Sequence, residues 1–232
     1  MTVRVFPSPQ ALAEAAADEV AGWLSVRDGR RSVGLAGGST PRRSYESLRR
    51  RPVPWRQVDG WMTDERHVPA DHPDSNAGMA RRALFAAVPA ALHEVPWRDD
   101  PAAAAEAYEA ELARLLPRGV SGHLEPGLVL LGVGQDGHTA SLFPGSTALT
   151  ETTRDYVATF VEGIGWRLTA TRALLGRARR TVFLVAGASK AAIVAEILDG
   201  SSELPAAVVA RASRDPLWLL DSAAAQLLAT DG

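Results

Sequence analysis

Apolar positions recur at two different periods along this chain, and stretches of the two kinds alternate. Short runs rich in apolar and β-branched residues stand at 3–6, 31–36, 58–62, 127–131, 156–161, 181–186 and 217–220. Each reads as a strand. The run at 127–131, GLVLL, carries no polar side chain, as a strand buried on both faces of a parallel sheet does. Between the runs the apolar period lengthens toward 3.6. Leu12, Ala16, Val20 and Leu24 line one face of a helix that opens at Ser8-Pro9, an N-cap followed by proline at the first helical position. Helices are predicted again over 41–50 and 76–87, from Asp100-Pro101 to just before Pro117, and over 189–198, where Ile193, Val194, Ile197 and Leu198 share a face. The stretch 168–178 reads as a strand running into a helix, and a terminal helix follows the last strand. This alternation predicts an α/β fold with a mostly parallel sheet. No repeat, low-complexity linker or composition shift divides the chain, so one domain over 1–232 is expected.

Ligands of open parallel sheets sit beyond the C-terminal ends of the strands. The polar, glycine-rich segments in those places are 37–40, 63–66, 132–139 and 187–190, and all four are expected at one sheet edge. In AGGSTP, Gly37 and Gly38 allow a sharp turn into a helix whose free N–H groups, with the Ser39 and Thr40 hydroxyls, would cradle an anion. A plain strand-to-helix turn with a serine cap is the simpler alternative. The segment lacks the Gly-Lys-Ser/Thr ending of a Walker A loop. Gly132, Gly134 and Gly137 match the dinucleotide fingerprint in form, but Pro144 leaves little room for the helix that would hold a pyrophosphate. Asp136 and His138 flank Gly137, and a carboxylate two residues away can fix a histidine's tautomer for acid–base work. A hydrogen-bonded loop histidine is the bland alternative. Asp64, Glu65 and Arg66 form either an exposed ion cluster or a site where Arg66 grips a phosphate or carboxylate. Lys190 falls in the first turn of a helix, where a cation opposes the helix dipole unless a bound anion compensates.

Composition narrows the chemistry further. At 46% hydrophobic and 22% charged residues the chain is far from the disordered class. It has no cysteine, which excludes disulfides, thiolate metal sites and a cysteine nucleophile. The net charge of −2 gives no cause to expect a nucleic acid or an anionic membrane as partner. No apolar run approaches the roughly 20 residues of a membrane span, and the first residues do not read as a signal peptide. A cytoplasmic enzyme is therefore expected. Among 25 basic residues Lys190 is the sole lysine, and a compact ammonium is not interchangeable with a guanidinium. Prolines break the spacing of His67 and His72 beside Asp64, Glu65 and Asp71, so no metal site is expected. His67, His72, His93 and His123 read as solvated.

Three segments, AGGSTPRRSYESL, TDERHVPADHPDSN and GVGQDGHTASLFPGS, resemble in order and spacing the hallmark segments of the 6-phosphogluconolactonase family. The likeness runs from the first helix to the Gly-x-x-Lys turn at 187–190. It implies a Rossmann-like α/β fold, a mostly parallel sheet flanked by helices that binds no dinucleotide and needs no cofactor. It also implies hydrolysis of 6-phospho-D-glucono-1,5-lactone to 6-phospho-D-gluconate, the second step of the oxidative pentose phosphate pathway. By the same resemblance His138 would be the general base with Asp136 beside it. Gly37, Gly38, Ser39, Thr40 and Asp64 would line the substrate pocket, and Arg66, Arg167 and Lys190 would be its cationic contacts. Arg167 matches most loosely, because Trp166 and Thr171 depart from the family pattern. The wider superfamily includes glucosamine-6-phosphate deaminases and sugar-phosphate isomerases. Deaminases read G-H-I-A-F-N-E-P over the residues that begin at Gly137, so their supporting glutamate falls on Phe143, which cannot carry a proton. A sugar-phosphate isomerase or deaminase and a non-catalytic sugar-phosphate sensor are the alternatives, and monomer and small homo-oligomer both stay open.

Overall fold

A computed structural model describes residues 1–25 and 29–228 of the chain. The strands are β1 (Thr2–Phe6), β2 (Arg31–Leu35), β3 (Val58–Met62), β4 (Asp64–Arg66), β5 (Ala91–His93), β6 (Leu128–Leu131), β7 (Tyr156–Val161), β8 (Gly165–Ala170), β9 (Arg180–Val185) and β10 (Pro216–Asp221). The helices are α1 (Pro9–Ser25), α2 (Ser39–Leu48), α3 (Asn76–Ala80), α4 (Pro101–Leu115), α5 (Thr147–Thr150), α6 (Arg172–Gly176), α7 (Ala191–Leu198) and α8 (Pro205–Ala212). Seven strands form one sheet in the order β1-β10-β9-β6-β2-β3-β5, and every pairing in it is parallel. The mostly parallel α/β sheet is thus as the alternation predicts, and its Rossmann-like layering is as the resemblance implies.

Local chemistry explains most of the boundaries. Ser8 Oγ accepts from the Ala11 amide at 3.2 Å, and Asp100 Oδ1 from the Ala102 amide at 3.0 Å, so both helices open on the caps read from the sequence. The central strand β6 is buried along its whole length. Phe183 on β9 and Trp218 on β10 are register neighbours whose rings stack at 4.1 Å. Burying a side chain of this size stabilises by about 1.5–3 kcal/mol.

Right-handed crossovers place α1, α2 and α3 on one face of the sheet and α4, α7 and α8 on the other. The packing agrees, with α1 on α2 and α2 on α3, and with α8 on both α6 and α7. The chain runs outward from β2 to β3 and β5, then returns to β6 and continues to β9 and β10. The strand order therefore reverses between β2 and β6, where open parallel sheets leave a crevice.

Several expectations are corrected. The 63–66 segment is not a loop. It enters β4, which pairs antiparallel with β8, and β8 pairs with β7, making a second, three-stranded sheet. Its polar residues hide this because the ladder is supplied by a partner distant in sequence. The helix expected over 76–87 is α3 followed by one wide π-turn over Arg81–Phe85. That turn sets Phe85 over Gly60, where a Cβ would meet the ring at 2.3 Å. Helix α2 starts at Ser39 rather than Pro41, because Gly38 at φ +102° turns the chain straight into it. β5 and α8 were not foreseen. The terminal helix does not form over 222–227: Asp221 Oδ1 accepts from both Ala224 and Gly187 amides and turns the chain back. Its remainder falls on 229–232, outside the described residues. His93 is not solvated, since Asp59 and Glu111 carboxylates hold its two ring nitrogens at 3.1 and 2.6 Å. His67 stacks on Trp97 at 4.6 Å. No helix among the described residues is long and apolar enough to cross a membrane.

Candidate active site

The crevice at the strand-order reversal is a cavity of about 240 Å³ lined by Gly37, Gly38, Asp64, Arg66, His138 and Lys190, among others. Ser39 and Thr40 line an adjoining cavity of about 180 Å³ that shares Gly37, Gly38 and Lys190 with it. All four sequence segments thus meet at one edge. Two larger clefts, about 490 Å³ each, are lined by residues at the opposite, N-terminal ends of the strands, such as Arg31 and Gly127 or Arg4 and Arg180, and neither contains a histidine.

His138 follows β6 in a tight turn. Its Nδ1 lies 2.5 Å from Asp136 Oδ1, which also accepts its backbone N–H at 3.2 Å. Gly134 permits this pairing, because a Cβ there would come within 2.0 Å of Nδ1 and 2.5 Å of the carboxylate. The other face of the imidazole rests on the buried Phe143 ring, centroids 4.2 Å apart. Partial burial works to raise the Asp136 carboxyl. The His138 amide and the imidazole's charge outweigh it and hold the group below the ordinary aspartate range. Asp136 lines neither cavity and stands behind the histidine.

The opposite wall comes from β4. Asp64 is 9% exposed, and burial pushes its carboxyl up. The Ser141 hydroxyl, which donates to Oδ2 at 2.7 Å, pulls the other way, as do Arg66, His138 and Arg167. Arg66 Nη1 donates to Asn76 Oδ1 at 2.6 Å and to the Asp74 carbonyl at 2.7 Å. Arg167 does not line the cavity. It stands opposite Arg66 in the β4–β8 ladder and donates to the Trp166 carbonyl. Burial and the neighbouring Arg66 lower the Arg167 guanidinium. Two like charges directly across a ladder destabilise it, a penalty that an anion between them relieves.

Lys190 is the N-cap of α7 and half-buried, so desolvation lowers its ammonium while the Asp136 charge opposes the shift. Beside it, α2 begins at Gly38 with no side-chain cap, which leaves its first amides to the cavity. An imidazole, a lysine, an arginine and a helix N-terminus around one small crevice suit an anionic substrate that needs acid–base chemistry. Among the described residues no group of three or more histidines and carboxylates is arranged to hold a metal. The 132–137 glycines lead into the turn at Thr139–Leu142, and the next helix is the four-residue α5.

Two residues of this site were missed in the sequence reading. Asn76 lines the cavity, aims Arg66, and donates to the Asp64 carbonyl at 3.0 Å. It packs so closely that a Cβ on Gly37 would lie 1.9 Å from its oxygen. Ser141 ties the histidine loop to β4. Both stand inside the three hallmark segments, but the partners of Asn76 lie ten or more residues back along its own segment and those of Ser141 on β4 and β8, distances that no spacing rule reaches.

Comparison with known proteins agrees with this geometry. A family profile described as glucosamine-6-phosphate isomerases/6-phosphogluconolactonase matches residues 7–218. The chain is 41% identical to a 6-phosphogluconolactonase of Synechocystis sp., over 86% of this chain and 85% of that one. It superposes on the 6-phosphogluconolactonase of Trypanosoma brucei with a TM-score of 0.87 at 33% identity, covering 98% of each chain. A monomeric glucosamine-6-phosphate deaminase shares the fold, with a TM-score of 0.83 at 22% identity. With the four segments gathered at one crevice and residues 7–218 matched, the chain belongs to the family of glucosamine-6-phosphate isomerases and 6-phosphogluconolactonases.

Proposed function

We propose that this protein hydrolyses 6-phospho-D-glucono-1,5-lactone to 6-phospho-D-gluconate, with His138 as general base. The observation that carries the proposal is the imidazole held at Nδ1 by Asp136 in a crevice that also presents Arg66 and Lys190. Because Nδ1 faces a carboxylate, the neutral ring carries its proton there and Nε2 is the nitrogen left to accept one. Water gives a proton to Nε2 as its oxygen bonds to the C1 carbonyl carbon. The tetrahedral oxyanion then collapses, the bond from C1 to the ring oxygen breaks, and that oxygen takes the proton back from the imidazolium. Asp136 stabilises the imidazolium between the two transfers. Lys190, Arg66 and Arg167, with the amides and hydroxyls of Gly38, Ser39 and Thr40, hold the charges of the phosphate and of the developing oxyanion.

Phe143 favours this reading over sugar-phosphate deamination. The residue packed against the imidazole is an apolar ring where a deaminase would need an acid, and lactone hydrolysis needs only one base. The substrate is a phosphorylated sugar, a dianion that does not cross lipid, so we place the reaction in the cytoplasm, within the oxidative pentose phosphate pathway.

The test is a coupled assay on freshly generated lactone, corrected for spontaneous hydrolysis. His138→Ala is expected to lose about 10²–10⁴-fold in turnover. A variant that keeps more than about a tenth of the wild-type rate takes this role from the histidine. Wild-type protein is expected to release no ammonia from glucosamine 6-phosphate.

A further inference from the structure

The turn that carries His138 is tied to the rest of the site by a hydroxyl to which the mechanism above gives no task. Ser141 is 1% exposed and lines no cavity. Its Oγ donates to Asp64 Oδ2 at 2.7 Å, and its backbone N–H donates to Thr169 Oγ1 on β8 at 3.2 Å. The residue before it, Ala140, is the one non-glycine among the described residues with positive φ, +48°. An L-residue in that region is strained by its own Cβ and persists only where surrounding contacts over-determine it. Here the contacts are Thr139 Oγ1 on the Gly132 carbonyl at 2.8 Å and the Thr139–Leu142 bridge on one side, and Ser141 on the other. The kink turns the Ser141 hydroxyl inward to β4 while Ala140 itself lines the cavity.

Asp64 is the group that this contact governs. One carboxylate oxygen is taken by Ser141, while Oδ1 lies 3.4 Å from the Asn76 amide on the cavity wall. An ionised carboxylate only accepts hydrogen bonds, so within the crevice it suits a sugar's hydroxyl groups. We propose that Ser141 is a positioning residue for the reaction, acting through Asp64: its hydroxyl fixes that carboxylate so that Oδ1 receives the substrate's hydroxyls at a set distance from His138. The proposal rests on the lactonase reading of the same crevice.

The electrostatic setting is mixed. Asp64 is faced by Arg66 on its own strand, Arg167 on β8 and His138 on the loop after β6, all favouring its charge, and by the neighbouring Glu65 carboxylate. The phenols of Tyr45 on α2 and Tyr156 on β7 also feel its charge. Burial is the largest influence and works against ionisation, and the Ser141 bond is first among those that oppose it. Removing that bond is therefore expected to move the protonation of Asp64 toward neutral pH.

Two measurements test this on the full-length protein. The first needs no substrate. In free protein labelled with ¹³C-carboxyl aspartate, the Asp64 resonance of Ser141→Ala is expected to titrate about one pH unit or more above wild type. An unmoved titration overturns the proposal whatever the protein's reaction. The second is a double-mutant cycle in kcat/KM toward the lactone. Ser141→Ala alone is expected to lose about ten- to hundredfold, the range for a hydrogen bond to a charged group, with the acid limb of the profile shifted upward. In an Asp64→Asn background the same substitution is expected to cost no more than about twofold. Equal losses in both backgrounds would show that Ser141 acts through packing and overturn the proposal. The acid limb is read only over the pH range in which circular dichroism shows Ser141→Ala folded, so a destabilised variant still gives an answer. If the Asp64 carboxyl moves but wild-type protein leaves the lactone intact, the function fails and the link between Ser141 and Asp64 stands.

Discussion

At the scale of single residues, the crevice depends on two places where a side chain is missing. Gly134 has no other atom where the His138 ring and the Asp136 carboxylate meet, and Gly37 has none where Asn76 lies. Neither glycine is in the left-handed region, so what each supplies is space and not conformational freedom. Gly134→Ala is therefore expected to displace the imidazole and reduce kcat by about 10² or more, as deletion of a catalytic base does. Its thermal unfolding should change little, because the groups that must move are partly exposed side chains. A Gly134→Ala enzyme with wild-type kcat would show that the tight approach is not needed. Much at this scale was legible beforehand. His138, Asp136, Arg66 and Lys190 stand in local patterns whose chemistry can be named without a structure. Asn76 and Ser141 do not, since each acquires meaning from a partner that the chain brings near only on folding.

Helix ends and strand ends decide how those residues are aimed. The Glu65 carboxylate is buried at the start of α3 and accepts from Ser75 Oγ and from the amides of Arg66, Asn76 and Ala77, all between 2.7 and 3.0 Å. Four donors fill the capacity of a carboxylate, and they join β4 to the helix that presents Asn76. Glu65→Gln replaces one acceptor oxygen with a donor nitrogen and leaves buried amides without partners. It is expected to lower unfolding free energy by about 2–4 kcal/mol in denaturant titration. KM should rise more than kcat falls, because Arg66 and Asn76 line the cavity while the proposed proton path runs through His138. The elements themselves divide by length. α1, α4, β6 and β9 are long or mostly apolar and were legible from apolar pattern and, for the two helices, their caps. β4 and β5 are three residues each, too short for any period to register, and the edge that stabilises β4 belongs to β8. The wide turn after α3 brings Phe85 onto Gly60, a contact that no local pattern announces.

Over the whole molecule, the carboxylates that burial or hydrogen bonding shifts fall into two groups that respond oppositely to acid. Burial holds Asp64 and Glu65 above their ordinary range. The folded chain therefore takes up their protons before the unfolded chain does, and their contribution to stability grows as pH falls and is lost as pH rises through the folded values. Glu14, bonded by Arg51 and Ser47, and Glu125, bonded by Arg179, are held low, and Glu151 is held at about 2 by the Thr153 hydroxyl and nearby amides. Their contribution is complete above the ordinary carboxylate range and is lost only as pH drops through those lowered values. Activity should therefore fail before the fold does on acidification. The acid limb of kcat/KM is expected above the acid unfolding midpoint followed by tryptophan fluorescence, and coincidence of the two would contradict this assignment of charges. The amino-acid sequence by itself determined the α/β class, the four ligand-facing segments and the chemistry they carry, because periodicity, caps and glycine turns act over a few residues. Tertiary structure alone decided that strand order reverses between β2 and β6, that a second sheet swings Asp64 and Arg66 into the crevice, and that Ser141 and Asn76 brace them. Those outcomes depend on contacts between distant segments, whose energies exist only once the chain has closed on itself.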